Sequence, residues 1–357
     1  MHKKTVVTVT GIRPDFIRMS QVFKELDSAD WCEHILIHSG QHYDELLSGV
    51  FFKDLSIRKP DYNLAIGSAG KSHYQQQADL GPAIINLFHD NNIQPDVVLF
   101  LGDSNSVLAS VPLRKEGYKV GHIEAGMRSY DERMLEEINR KVCDHVSNYL
   151  FVYHENYKQK ALREGISEDK IFVVGNTINE PLQEIADLSY VGKAEHILLD
   201  IHRPENFQYK ERLTSIFKYV NEAAAHFSLP VKMVSFGRTM CALKEYNIAL
   251  GVVQPIPMMG YRDYIRCQQD SYFIISDSGT AQEEPALLSI PVVVPRDFTE
   301  RPESNENGCS TLLSLSDTSY KKAIRWVEGW SKERCDTVWM GDGIASKAIV
   351  HTLKEVL

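Results

Sequence analysis

The sequence predicts an α/β protein built from two doubly wound Rossmann-like domains that face a central cleft. Three observations predict it. Short β-branched runs alternate with amphipathic segments along most of the chain, the signature of parallel sheets covered by helices on both faces. The alternation pauses at residues 187–194 and then restarts. The length, 357 residues, is roughly double that of one ordinary domain. The interruption falls near the middle, which favours two open units over one large barrel. The expected division is residues 1–180 and 181–340, with an amphipathic helix over residues 341–357 packing back on the first domain.

In order, residues 5–10 read as a buried strand, followed by Gly11 and a helix opening at Pro14, where proline suits a first turn. Residues 35–38 form a second strand ending in Ser39-Gly40-Gln41-His42. A helix over residues 74–88 leads to the apolar strand 97–101 and then Gly102-Asp103. Residues 119–124 are a further strand, 136–146 a helix, and 149–152 and 171–174 two more strands. After the pause, strands are expected at 197–201, 231–236, 273–276 and 292–294, separated by helical segments.

Composition narrows the function. Hydrophobic residues make up 43% and charged residues 24%, which excludes a disordered chain. A net charge of −9 disfavours nucleic acid or an anionic membrane as a partner, while leaving room for a local basic pocket holding a small phosphate ligand. The six cysteines show neither zinc-knuckle nor redox spacing and read as free thiols in a reducing compartment. The apolar residues 6–12 run straight into Arg13 and Asp15 and read as a strand rather than an export signal, so a cytoplasmic location is expected.

Ligands of open α/β sheets bind beyond the carboxyl ends of the strands. The polar residues there are Gly11-Ile12-Arg13-Pro14, Gly40-Gln41-His42, Gly102-Asp103-Ser104, Glu124-Ala125-Gly126, His202-Arg203-Pro204-Glu205-Asn206 and Asp277-Ser278-Gly279-Thr280. Ser278-Gly279-Thr280 precedes a helix expected near Ala281, an arrangement suited either to a diphosphate or to simple N-capping. Gln282-Glu283-Glu284 favours the first, since a carboxylate one turn on could reach ribose hydroxyls, with Arg13 and Arg301 supplying positive charge. Asp103, Glu124 and Glu136 converge as candidates for proton transfer, which needs carboxylates in environments that separate their pKa values. Glu136 could instead pair with Arg140, and Asp103 could simply cap a loop. His202 could polarise a phosphate. Asp144-His145 reads as a helix-face feature. No Walker loop, G-x-G-x-x-G fingerprint, nucleophile-elbow serine or H-E-x-x-H motif is present, and no histidine cluster has metal-ligand spacing.

To these motifs are added His122-Ile123-Glu124-Ala125-Gly126-Met127-Arg128, Glu136-Glu137-Ile138-Asn139-Arg140, Gly175-Asn176-Thr177 and Thr299-Glu300-Arg301-Pro302-Glu303. In this order, over about residues 5–310, the set resembles the non-hydrolysing UDP-N-acetylglucosamine 2-epimerase family. The resemblance implies a glycosyltransferase-B-like fold, a homodimer, no redox cofactor and interconversion of UDP-GlcNAc with UDP-ManNAc. In that reaction UDP departs by anti elimination, leaving a 2-acetamidoglucal, and then re-adds. The resemblance places Asp103, Glu124 and Glu136 at acid/base positions and His202 beside the departing UDP. Arg13, Arg18, Ser278, Gly279 and Glu284 fall at nucleotide-binding positions, and Gln41 and His42 in an effector region.

Departures from the pattern are Arg18 where lysine is common, Thr280 for a second glycine, Leu135 for a proline and Ile12 for a small residue. Asp44 differs from the expected polar residue, which argues against allosteric activation. Phe16, Tyr43-Asp44 and Phe51-Phe52 lean toward branches acting on diacetamido-uronic acid or 6-deoxy sugars. Competing readings are a retaining UDP-sugar glycosyltransferase, a hydrolytic epimerase and a non-catalytic nucleotide-sugar binder.

Overall fold

The computed structural model describes residues 3–40, 52–67, 73–315 and 317–357. They form two compact units: residues 1–184 with 340–357, and residues 185–339.

The first unit contains a seven-stranded sheet in the order β3-β2-β1-β4-β5-β6-β7, with every neighbouring pair parallel. Its strands are β1 (Lys4–Thr10), β2 (Cys32–His38), β3 (Tyr62–Asn63), β4 (Val97–Leu101), β5 (Val120–Ile123), β6 (Tyr149–Val152) and β7 (Ile171–Val173). The strand β4 is buried along its whole length, as a central parallel strand must be when helices cover both faces. One face packs Val7, Val9, Val98 and Phe100 against Leu80, Ile84 and Phe88 of the helix His73–Asp90. The C-terminal helix Ala345–Val356 belongs to this unit and lies on the helix Arg13–Ser28. Its first turn is anchored by Glu180, whose carboxylate accepts the Ser346 N–H at 3.0 Å.

The second unit contains a six-stranded parallel sheet in the order β10-β9-β8-β11-β12-β13. These are β8 (His196–Asp200), β9 (Val231–Val234), β10 (Val253–Ile256), β11 (Ser271–Ser276), β12 (Val292–Val294) and β13 (Ser310–Leu312). The helix Lys210–Phe227 buries Leu213, Ile216, Phe217 and Val220 against Ile197, Leu199 and Met233 of this sheet.

The expected strands are all present. Sequence reading missed β3, β10 and β13, and all three are sheet edges. There a strand is covered less and can be short or carry a proline, as β10 does at Pro255. One expectation is corrected. Ser278-Gly279 opens onto a 3-10 turn, Thr280–Gln282, and only then a short helix, Glu284–Leu288, rather than a helix from Ala281. Pro285 explains the delay, because its ring fits the first turn of a helix and not its interior.

In each sheet the strand order reverses at one place, between β1 and β4 in the first and between β8 and β11 in the second. Loops at the carboxyl ends of strands diverge at such switch points and leave room for a ligand.

Candidate active site

In the first unit, the first turns of the helix Arg13–Ser28 after β1 and the loops after β4 and β5 bring Asp15, Arg18, Asp103 and Glu124 to the switch point. Glu124 directly follows β5 with φ +71°, a left-handed conformation that costs a non-glycine residue about 1–3 kcal/mol. Its carboxylate is buried. Oε2 lies 3.0 Å from Arg18 Nη1 and accepts the Tyr153 hydroxyl at 3.1 Å. Tyr153 Oη is in turn 2.8 Å from Thr177 Oγ1. Arg18 Nη1 also reaches Tyr153 Oη at 3.3 Å and Asn176 Oδ1 at 3.4 Å. The arginine is thus a planar hub between Glu124 and the Gly175-Asn176-Thr177 motif, a role the compact ammonium of lysine would fill differently.

Asp103, half-buried after β4, pairs through Oδ2 with Arg140 Nη2, and its backbone carbonyl accepts Asn139 Nδ2 at 2.8 Å. Both partners sit on the helix Glu136–Val146. On that helix Glu136 is half-buried in the first turn, whereas its neighbour Glu137 is buried. Glu137 accepts the N–H groups of Ser129 (3.0 Å) and Tyr130 (3.2 Å) and pairs with Arg140 at 3.2 Å. Of the paired glutamates, Glu137 therefore holds the Ser129-Tyr130 loop to the helix.

Sequence reading missed three elements of this site. The first is Asp15, which is 3% exposed and accepts the Gly11 N–H at 2.8 Å and the Ile12 N–H at 3.1 Å through Oδ2. Burial raises its pKa to about 7; the two N–H donors oppose the rise, and the negative charges of Asp103 and Glu124 add to it. An acidic residue three positions after the N-cap Ile12, reaching back to its N–H, is half of a capping box and the one local signal that could have revealed it.

The second is His122 on β5, fully buried, with Nδ1 2.6 Å from Asp144 Oδ1 and Nε2 2.7 Å from the Gly102 carbonyl. Both contacts accept a proton from the ring. Burial disfavours the imidazolium, but Cys143 and Asp144 beside it lift its pKa well above the usual value. The third is Asp144 itself. It is not a helix-face residue: it is 1% exposed, pairs with Arg128 at 2.7 Å and accepts the Gly126 N–H at 3.0 Å. Burial works against its charge, yet His122 and Arg128 hold its pKa below the ordinary carboxylate range. One buried His–Asp pair thereby fixes both Gly102, the residue before Asp103, and Gly126, two residues after Glu124.

In the second unit, Asp277 after β11 is fully buried and organises the loop after β8. It accepts the N–H groups of His202 (3.0 Å) and Arg203 (3.1 Å) and Asn206 Nδ2 (2.9 Å). His202 Nδ1 lies 2.9 Å from Asp200 Oδ1, while Asp200 Oδ2 accepts the Tyr264 hydroxyl at 2.6 Å. Burial would lower the pKa of His202, but Asp200, and after it Asp277, raise it overall. These carboxylates favour the protonated ring, and its Nε2 has no protein partner among the described residues.

Asp200, His202 and Asp277 are also close enough to suggest a metal ion. Their donor set argues otherwise. Asp277 already accepts three N–H groups and Asp200 a hydroxyl, so the oxygens face protons rather than an open coordination position.

Gly279 has an ordinary helical φ of −64°, so it is not needed for a left-handed turn. Close packing requires it: a Cβ there would stand 2.4 Å from Arg301 Nη1 and 2.8 Å from Glu300 Oε1. Arg301 is buried, with Nε 3.0 Å from Glu283 Oε2 and Nη1 2.6 Å from Glu300 Oε1. Ser278 Oγ lies 3.3 Å from Thr280 Oγ1, which puts hydroxyls where the resemblance expected a second glycine. Glu284 is buried, its two oxygens accepting Tyr261 Oη at 2.9 Å and Gln268 Nε2 at 3.1 Å. Gln41, His42, Tyr43, Asp44 and Phe51 lie outside the described residues, as does the side chain of Arg13.

Comparison with known proteins places the whole chain in one family. The family model described as UDP-N-acetylglucosamine 2-epimerase matches residues 24–354. The chain belongs to the UDP-N-acetylglucosamine 2-epimerase family. Its members are isomerases. The UDP-N-acetylglucosamine 2-epimerase of Methanocaldococcus jannaschii is 35% identical, over 97% of each chain. The crystal structure of that protein in complex with UDP-GlcNAc and UDP superimposes with a TM-score of 0.90, covering 98% of this chain and 99% of that one at 33% identity. The UDP-2,3-diacetamido-2,3-dideoxy-D-glucuronate 2-epimerase of Pseudomonas aeruginosa is 33% identical, over 98% of this chain and 99% of its own. A lipopolysaccharide outer core galactosyltransferase, 13% identical, shares the fold at a TM-score of 0.55 over 99% of this chain and all of its own. The epimerase family thus uses the glycosyltransferase-B-like architecture. Among the described residues, no helix is long and apolar enough to cross a membrane.

Proposed function

We propose that this epimerase-family protein interconverts UDP-GlcNAc and UDP-ManNAc without hydrolysis. The observation that carries the reading is the pair of carboxylates Asp103 and Glu124 on adjacent parallel strand ends, each held by its own buried arginine, Arg140 and Arg18. Inverting C2 requires removing a proton from one face and returning it to the other, so more than one proton-handling group is needed.

In this proposal a carboxylate takes the C2 proton while the C1–O bond to UDP breaks anti to it, giving a 2-acetamidoglucal and UDP. UDP then re-adds at C1 as a proton reaches C2 from the opposite face. No net redox change occurs. Asp103, Glu124 and Glu136 form the acid/base set, and Arg18 keeps Glu124 fixed. His202, whose protonated form Asp200 favours, offsets the negative charge that develops on the departing UDP oxygen. Arg13, Ser278, Gly279, Glu284 and Arg301 form the nucleotide side of the site, where Gly279 lets Arg301 pack against the turn. A homodimer in the cytoplasm belongs to the same proposal. Light scattering showing a monomer at micromolar concentration would remove the dimer from it.

The similarity to the diacetamido-uronate epimerase supports a second reading, the same chemistry on UDP-2,3-diacetamido-2,3-dideoxy-D-glucuronate. The purified protein, given each UDP-sugar separately and resolved by ion-pair chromatography, decides between them. The first reading expects UDP-ManNAc from UDP-GlcNAc with no free sugar. Turnover of the uronate alone would select the second reading. Free ManNAc would select hydrolysis.

A further inference from the structure

Outside this site, two of the cysteines come together. Cys309 is buried at the entrance to β13, and Cys335 is half-buried just after the 3-10 turn Lys332–Arg334. The segments that carry them are joined by backbone. The Asp336 N–H donates to the Asn307 carbonyl at 3.0 Å, and Cys309 Sγ lies 3.4 Å from the Asp336 carbonyl. The approach is so close that a Cβ on Gly308 would stand 2.4 Å from the Arg334 carbonyl oxygen. Trp330 Nε1 donates to the Gly308 carbonyl at 2.9 Å and further fixes the crossing. Gly308 thus lies against Arg334 and Cys309 against Asp336, which sets Cys309 and Cys335 side by side at this crossing. The neighbouring Cys335, with burial added, pushes the Cys309 thiol up, while Cys309 holds Cys335 below the ordinary thiol range despite burial.

We propose that Cys309 and Cys335 are a modification site, a dithiol that closes to an intramolecular disulfide when the protein meets a peroxide. Cys335, the more accessible of the two, is the attacking thiolate, since the thiolate and not the thiol is the nucleophile. Its sulfur attacks one peroxide oxygen and the O–O bond breaks. With a proton taken up, this gives the Cys335 sulfenic acid and one water. Cys309 sulfur then attacks Cys335 sulfur, the S–O bond breaks, and the thiol proton leaves with the hydroxyl as a second water. Two thiols are oxidised and one peroxide is reduced to two waters. The bond ties the base of β13 to the last segment of the second unit. It requires nothing from the epimerase reading.

The full-length reduced protein is exposed to stoichiometric hydrogen peroxide at neutral pH, the remaining thiols are alkylated, and the digest is mapped by mass spectrometry. The expected result is one linked Cys309–Cys335 peptide that forms about tenfold faster than exposed Cys241 is modified, and that dithiothreitol reverses. In Cys309→Ala, Cys335 should instead accumulate as sulfenic and sulfinic acid. Cys335→Ser, at the more tolerant position, should leave Cys309 unmodified over the same time. Modification of Cys241 first, absence of the linked peptide, or an unchanged Cys335 product in Cys309→Ala would each overturn the proposal.

Discussion

The guanidinium of Arg18 lies 3.0 Å from the carboxylate of Glu124, and both side chains are almost wholly withdrawn from solvent. Removing one partner of such a pair strands the other charge in a low-dielectric interior, at a cost of about 3–5 kcal/mol. Arg18→Met should lower the unfolding free energy obtained from urea titration by that order. Arg18→Lys, which restores the residue common in the family, should keep the ion pair and lose only the bonds to Tyr153 and Asn176. Equal destabilisation by the two variants would show that the charge pair is not what matters.

Asp15 titrates in an unusual direction. Its folded pKa is raised from 3.8 to about 7, so the native state holds a proton that the unfolded chain has already released. Stability therefore falls as pH rises from about 4 through 7. Asp15→Asn keeps an oxygen for the Gly11 and Ile12 N–H groups and removes the buried charge. It should equal the wild type near pH 4 and exceed it by a few kcal/mol at pH 8. Urea titrations across that range would show the difference, and a variant less stable at pH 8 would refute this account of Asp15.

His122 shifts stability with pH in the same direction, through a charged form that its neighbours favour rather than one that burial resists. Its folded pKa is raised well above 6.5, so its contribution to stability is complete below 6.5 and is lost as pH rises through the higher folded value. Because the ring holds the Gly102 carbonyl, His122→Gln should also misplace Asp103. We expect kcat to fall about tenfold or more with KM for the UDP-sugar changed far less, together with a flatter alkaline stability profile. A matched rise in KM alone would assign His122 to binding.

Gly279→Ala places a methyl group against Arg301 and Glu300. Crowding of this kind typically costs about 1–3 kcal/mol. UDP affinity measured by calorimetry should fall by at least about tenfold, the equivalent of 1.4 kcal/mol. Unchanged UDP binding would move the nucleotide away from this turn.

The parallel strands inside the two sheets were legible because continuous β-branched runs have few other solutions, and every strand-end motif was legible because it follows such a run. What stayed hidden depends on tertiary neighbours. Asp144 looks like any charged helix residue until Arg128 and His122 arrive from distant segments to neutralise it. Asp15 sits among apolar neighbours and gives only the local capping signal. The turn at Gly279 resembles a phosphate loop in sequence, yet its glycine is required by Arg301, more than twenty residues further on. Short edge strands such as β3 have too few residues for any periodicity.

The central claim is proton exchange at C2 by the strand-end carboxylates. It is tested most directly by incubating the protein with UDP-GlcNAc in D2O and following the C2 proton by NMR. The account predicts deuterium at C2 in a mixture of intact UDP-GlcNAc and UDP-ManNAc, and its loss by a factor of about a hundred or more in Asp103→Asn and Glu124→Gln while UDP still binds. Epimerisation with the C2 proton fully retained, or near-normal exchange in both variants, would contradict it.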